Sequence, residues 1–294
     1  MTNDAAGPAP LAASAMTLET YRFPAHRLQR QQHDPDRTPL VLVACGSFSP
    51  ITYLHLRMFE MANDYARINT QYEVVGGYLS PVSDAYKKAG LAEARHRQVA
   101  SKTGGTASAI VRMCELAAEE TSSWLMVDPW EALQPDYMPT AKVLDHFEYE
   151  INHVLNGILA ADGETRKPVK IMLLAGADLI GTMSTPGVWA EKDLDHILGN
   201  FGAMIVERSG TDMDEALANL KQWEDNIHVI AQMIQNNVSS TKIRLFLRRD
   251  MSVQYLIPQS VIQYIDEHRL YTDDGEAKTK DAKDKEKDKQ RATN

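Results

Sequence analysis

The sequence predicts a doubly wound α/β fold: one parallel sheet with helices on both faces, built as a single domain. Three observations carry this reading. Short apolar runs recur along the chain, and each is continuous rather than alternating, as strands buried on both faces require. Stretches with helical spacing lie between the runs, so successive strands are joined by crossovers. The span that holds them, residues 38–272, falls within the size of one domain.

The elements follow in order. Leu40–Cys45 (LVLVAC) reads as the first strand, and Leu54–Ala66 as a helix with Leu54, Met58, Met61 and Tyr65 on one face. Glu73–Leu79 and Trp124–Val127 are the next strands. Lys170–Ala175 (KIMLLA), Ala203–Glu207 (AMIVE) and Ile227–Ala231 (IHVIA) complete the set, and a helix containing Ile243, Leu245, Phe246 and Leu247 comes after them. The arrangement is Rossmann-like, without internal repeats.

Both ends read differently. Residues 1–37 are rich in Ala, Pro and Gln, with four acidic residues and four arginines, and suggest a flexible N-terminal extension. Residues 273–294 hold seven basic and seven acidic side chains and no aromatic or branched aliphatic one, the composition of a disordered charged tail. The charges cancel at both ends. The net charge of −9, from 31 Lys+Arg against 40 Asp+Glu, therefore belongs to residues 38–272.

That acidity weighs against nucleic acid as a partner. No apolar run approaches the roughly 20 residues that cross a bilayer, so no membrane partner is expected. Two cysteines, Cys45 and Cys114, provide no disulfide framework, which suggests a reducing compartment, cytoplasm and/or nucleus. An acidic protein that binds an anion must build its positive potential locally, from a few cations and backbone amides.

In open sheets of this kind ligands bind beyond the carboxyl ends of the strands, where strand order reverses. After the first strand comes Gly46-Ser47-Phe48-Ser49-Pro50-Ile51-Thr52-Tyr53-Leu54-His55. Gly46 allows a sharp turn and close approach of a phosphate to backbone amides. Pro50 and Thr52 suit a helix start, which places His55 in the first turn, among unpaired N–H groups that attract anions. A structural histidine beside a tight turn is the alternative.

Val238-Ser239-Ser240-Thr241-Lys242-Ile243-Arg244 follows the last strand. Ser239 or Ser240 is a natural N-cap. Lys242 and Arg244 then occupy the first turn, where cations oppose the helix dipole unless an anion lies there. An exposed helix start with two incidental cations is the other reading.

The two segments together resemble the GxFxPxxxxH and SSTxxR motifs of the nucleotidyltransferase α/β-phosphodiesterase superfamily. With SPVSDAYKK, VDPWE, LLAGADL and VW in order between them, residues 40–271 resemble the eukaryotic nicotinamide mononucleotide adenylyltransferase family. The resemblance implies adenylyl transfer from ATP to nicotinamide mononucleotide, and to nicotinic acid mononucleotide, with release of pyrophosphate. It implies that Gly46, Ser47 and Phe48 contact the phosphates and His55 the α-phosphate. Lys87 and Lys88 match the family's phosphate-binding lysine region, with Lys88 and Arg244 joining His55 in catalysis. It implies that Trp130 and Trp189 pack on the nicotinamide ring, that Gly176, Asp178, Arg208 and Asn236 contact nucleotide, and that Ser239, Ser240, Thr241, Lys242, Ile243 and Arg244 form the triphosphate site. Mg²⁺ is implied with ATP, held mainly by phosphates and water, and a homo-oligomer is implied as well. Ser49 stands where the family more often has Asn, and Ser101–Ser108 looks inserted.

The residues suit that chemistry. An ionised phosphate attacks without a general base, so catalysis reduces to positioning and electrostatic stabilisation. The sequence offers donor-rich loops and neither a nucleophile elbow nor a paired-carboxylate constellation. Two other readings stay open: a superfamily transferase with a different phosphate acceptor, and a non-catalytic nucleotide-binding or chaperone-like protein.

Overall fold

The computed structural model describes residues 17–83, 85, 106–208, 210 and 212–271. Lys87, Lys88, residues 101–105 of the Ser101–Ser108 stretch and the charged tail lie outside the described residues.

Strand β1 (Thr38–Gly46) leads through a loop into helix α1 (Tyr53–Asn69) and strand β2 (Tyr72–Pro81). Helix α2 (Thr106–Thr121) precedes β3 (Leu125–Val127). Helix α3 (Thr140–Glu148) continues in π-helical turns to Val154, and a small antiparallel pair, β4 (Ile158–Leu159) with β5 (Arg166–Lys167), follows. Strand β6 (Lys170–Gly176) runs directly into α4 (Ala177–Ser184). Then come α5 (Glu191–Leu194), β7 (Ala203–Val206), α6 (Met213–Leu217), β8 (Ile227–Ile230), α7 (Ser240–Arg248) and α8 (Gln259–His268).

The six main strands form one sheet in the order β3-β2-β1-β6-β7-β8, and every pairing is parallel. Each expected strand is present within a residue or two of its expected limits. The continuity of the apolar runs has a direct cause in packing. Leu40, Leu42, Met172, Leu174 and Met204 pack on one face with α1, α2 and α8. Val41, Val43, Ile171, Leu173, Ala203 and Ile205 pack on the other with α3 and α4. Neither face is solvated, so neither set of alternate residues can be polar. Strand order reverses between β1 and β6, and the carboxyl ends of all six strands share one edge.

The domain begins earlier than the expected boundary at residue 38. Residues 17–37 are not a loose extension over this range but lie against β2, β3 and β4. Gln29 N–H donates to Val75 O at 2.9 Å and Gln32 N–H to Leu159 O at 2.8 Å. Arg27 Nη1 donates to Ala118 O and Leu125 O, and Tyr78 OH donates to Pro24 O. Leu28 is buried in the core beside Val41, Val75 and Tyr78. A segment held by backbone hydrogen bonds and a few apolar anchors carries no periodicity, so composition alone misread it. Leu28→Ala should cost about 2–4 kcal/mol of unfolding free energy in urea titration. A loss near zero would return this segment to the status of a loose extension.

Candidate active site

The loop after β1 and the start of α7 are in direct contact, although almost two hundred residues separate them. Ser240 Oγ donates to Pro50 O at 2.8 Å, and Arg244 Nη1 donates to Ser49 O at 2.5 Å. Tyr271 OH shares a hydrogen bond of 2.9 Å with Ser49 Oγ, which ties the end of the domain to the same loop. To reach this place the chain leaves β8 at the sheet edge and comes back to the β1 loop by Ser240.

Within the loop the backbone is unusual at Phe48, not at Gly46. Gly46 closes β1 and pairs with Pro81, whereas Phe48 has φ 35°, in the left-handed region. Gly46 is needed for another reason: a Cβ there would lie 3.1 Å from the Phe48 ring. The expectation that Gly46 supplies the sharp turn is corrected accordingly. Phe48 also meets the His55 ring edge-on, with centroids 5.2 Å apart. Thr52 caps α1, and its N–H donates to His55 Nδ1 at 3.0 Å. Since Nδ1 accepts, a neutral ring carries its proton on Nε2. Burial lowers the His55 pKa to about 4, so at neutral pH the ring is an uncharged Nε2–H donor.

Ser239 is the N-cap of α7 and accepts from Lys242 N–H at 3.3 Å. Thr241 and Lys242 are exposed at the helix start, and Lys242 Nζ folds back onto Asn237 O at 2.8 Å. Arg244 is only 4% exposed. It points inward to Ser49 O and to Thr241 Oγ1, and its Nε has no partner. The two cations that seemed to demand an anion are thus met in part by carbonyls, leaving one buried guanidinium donor unsatisfied. Ile243 leaves the candidate set. Its side chain is in the core at 1% exposure and its N–H donates to Ser239 O, so it anchors the helix instead.

The remaining candidates fall in the segments that follow β1, β3, β6, β7 and β8. Gly176 is the N-cap of α4, and a Cβ there would meet nothing within 4 Å, so the ground beyond β6 is open. Asp178 on α4 pairs with Arg208 after β7, Nη1 to Oδ2 at 2.6 Å. Asn236 Oδ1 accepts from Val238 N–H and shapes the turn before α7. Ser47 opens the loop after β1, half-buried. Trp130 follows β3, and Trp189 lies beyond α4 with Nε1 donating to Thr182 Oγ1 at 3.1 Å.

Sequence reasoning missed several buried polar residues at this edge. Ser80, one residue before the end of β2, donates to Glu131 Oε2 at 2.7 Å. Asp128, His146 and Tyr21 form a connected group beside Trp130. Asp128 and Glu131 belong to the quoted VDPWE stretch and were legible there. His146 is on an apolar helix face and Tyr21 in the supposed extension, so nothing marked them.

A cytidylyltransferase-like family model matches residues 43–246. The chain is 58% identical over 265 residues to nicotinamide/nicotinic acid mononucleotide adenylyltransferase 1 of Saccharomyces cerevisiae, covering 89% of this chain and 63% of that relative. It is 56% identical to the Schizosaccharomyces pombe enzyme (92% and 71% covered) and 36% identical to enzyme 1 of Bos taurus (82% and 92% covered).

The chain belongs to the nicotinamide/nicotinic acid mononucleotide adenylyltransferase family.

It spans 63% and 65% of the length of the two Saccharomyces members of that family. A solved structure of Plasmodium falciparum nicotinic acid mononucleotide adenylyltransferase complexed with APC shares the fold, with TM-score 0.52 at 19% identity, covering 79% of this chain and 96% of that one.

Glu131 yields a prediction free of any assay of turnover. Burial pushes its carboxyl up to about 8, Asp128 adds to this, and the Ser80 hydrogen bond opposes it. A raised pKa in the folded state gives stability that is full below 4.5 and lost as pH rises towards 8. Glu131→Gln cannot ionise and should gain on the parent across that window when unfolding is measured from pH 4 to 9. A difference that does not vary with pH would refute the buried, protonated carboxyl.

Proposed function

We propose that this chain transfers the adenylyl group of ATP to nicotinamide mononucleotide and to nicotinic acid mononucleotide, forming NAD or its deamido counterpart and pyrophosphate. The observation that carries the reading is the junction of the β1 loop with the start of α7, beside the point where strand order reverses. Ligands of doubly wound sheets bind there. The junction offers the uncharged His55 donor, the Ser239–Thr241 hydroxyls, Lys242 and a buried guanidinium within one loop pair. That the chain's relatives bear the name of this activity supports the same reading.

The chemistry follows from the donor set. The acceptor's phosphate oxygen attacks the α-phosphorus in line as the bond to pyrophosphate breaks. The attacking oxygen is already ionised, so no side chain has to remove a proton. His55 Nε2–H is placed to donate to an oxygen that gains charge in the transition state, and as a neutral donor it does so without giving up a proton. Lys242 and Arg244 offset charge on the departing pyrophosphate. In addition, Arg244 shapes the loop by holding Ser49 O. Lys87 and Lys88 enter this reading through the family resemblance.

The donors gathered here are N–H, O–H and cationic groups, which suit phosphate oxygens and do not suit a resident metal. Among the described residues no group of three or more His, Cys, Asp or Glu side chains could hold one. The divalent cation would therefore enter with ATP, ligated by phosphates and water. Self-association belongs to the same proposal on the strength of the family resemblance, and a cytoplasmic or nuclear location on the lack of a disulfide framework.

The test is incubation with MgATP and each mononucleotide while pyrophosphate is followed. His55→Ala should lower kcat at least about a hundredfold, since one such donor is worth about 3–4 kcal/mol, with the fold retained although the Thr52 N–H loses its acceptor. Unaltered turnover in the variant would remove His55 from the mechanism. Nucleotide binding without turnover in the parent would favour the non-catalytic reading.

A further inference from the structure

Behind Trp130 stands a set of side chains that adenylyl transfer itself does not use. Trp130 stacks flat on His146, with ring centroids 4.2 Å apart and planes 7° from parallel. His146 Nε2 lies 3.1 Å from Asp128 Oδ2 and 3.0 Å from Tyr21 OH, and Tyr21 OH donates to Asp128 Oδ1 at 2.9 Å. The three polar groups close a triangle.

Proton accounting fixes its sense. Burial, then the Asp128 charge, push the Tyr21 pKa up, so the phenol keeps its single proton and gives it to Asp128. His146 Nε2 must then carry the proton that faces both oxygens. Asp128 Oδ1 also accepts from the backbone N–H of Trp130 at 3.2 Å. One carboxylate thus fixes the backbone of the tryptophan and, through His146, the plate on which its ring lies. Phe23 and Phe147 close on the edges of the His146 ring, at 6.1 and 5.6 Å between centroids.

Asp128 and His146 are buried, whereas Trp130 remains partly exposed. This is the profile of a side chain backed on one face and presented on the other. We infer that Tyr21, Asp128 and His146 are positioning residues for the acceptor's pyridine ring, holding Trp130 flat so that a bound pyridine completes a three-ring stack. The inference rests on the adenylyl-transfer reading and adds to it the N-terminal segment, which supplies Tyr21. An indole already fixed loses little further freedom when the ligand arrives, so more of the stacking energy appears as affinity.

The experiment is steady-state kinetics of full-length variants, with each substrate varied in turn. Tyr21→Phe keeps the ring and removes one hydroxyl. It should raise KM for the mononucleotide about threefold, with kcat and KM for ATP within about twofold of the parent. His146→Leu removes the flat plate and should raise it about tenfold, and His146→Phe should recover part of that loss. Melting temperatures identify any variant that fails to fold, in which case Tyr21→Phe alone decides. Folded variants with the parent's mononucleotide KM would overturn the inference while leaving adenylyl transfer intact. So would an equal rise in KM for ATP, which marks general loosening. A parent protein that turns over neither mononucleotide would overturn the underlying reading instead.

Discussion

The rest of the site depends on the clamp between Arg244 and Ser240 on α7 and the carbonyls of Ser49 and Pro50. The loop after β1 cannot hold its own shape. It contains a left-handed phenylalanine, and the Ser49 and Pro50 carbonyls take their donors from a helix nearly two hundred residues further on. Without those donors buried acceptors would be stranded, at a cost of about 1–3 kcal/mol each. With them, Phe48 sits over Gly46, the edge of its ring meets His55, and Thr52 sets the histidine tautomer. The clamp is itself expensive. It buries a guanidinium whose Nε finds no partner, a local violation of the kind natural proteins keep at functional sites.

Much of this was legible in the sequence, for identifiable reasons. The six strands of the sheet could be read because burial on both faces forces uninterrupted apolar runs, a pattern that loops do not imitate. Thr52 and Ser239 were legible as caps because capping is local chemistry. What escaped depends on distant contacts. Residues 17–37 give no periodic signal, since backbone pairing with Val75 and Leu159 holds them. The direction of Arg244 could not be read from a helix-dipole argument, because a carbonyl from another segment satisfies a cation as an anion would. Ile243 looked like part of a binding motif only because its neighbours are polar, whereas its side chain serves the core. His146 was hidden by the apolar helix face on which it sits.

The electrostatics resolve the apparent conflict between an acidic chain and anionic substrates. Three of the acidic residues near the crevice are neutralised or engaged. Glu131 is pushed towards its protonated form by burial, Asp178 is paired with Arg208, and Asp128 is enclosed by Tyr21 and His146. None of these presents a free negative charge to a phosphate at neutral pH. Positive character comes from a helix start, two cations and a neutral histidine donor, all confined to the α1 and α7 ends. A net charge of −9 is therefore compatible with anion binding, because the field that matters is the one inside the crevice.

For the proposed function, strand order limits where each half of a dinucleotide could lie. Trp130 follows β3 at one end of the row, and Arg208 follows β7 towards the other. Neighbouring strands are about 4.8 Å apart, so the five steps from β3 to β8 span about 24 Å. The β1–β6 gap lies inside this span, with the open ground at Gly176 on one side and His55 on the other. Under the proposed adenylyl transfer, two mononucleotides laid end to end along such a row would bring their phosphates together over that gap. In that arrangement the bond to be made would lie over the place where the α7 clamp has gathered its donors. On that proposal, parallel strand topology rather than any single residue would set the order of aromatic floor, phosphate junction and nucleoside site, with the clamp at the middle of the three.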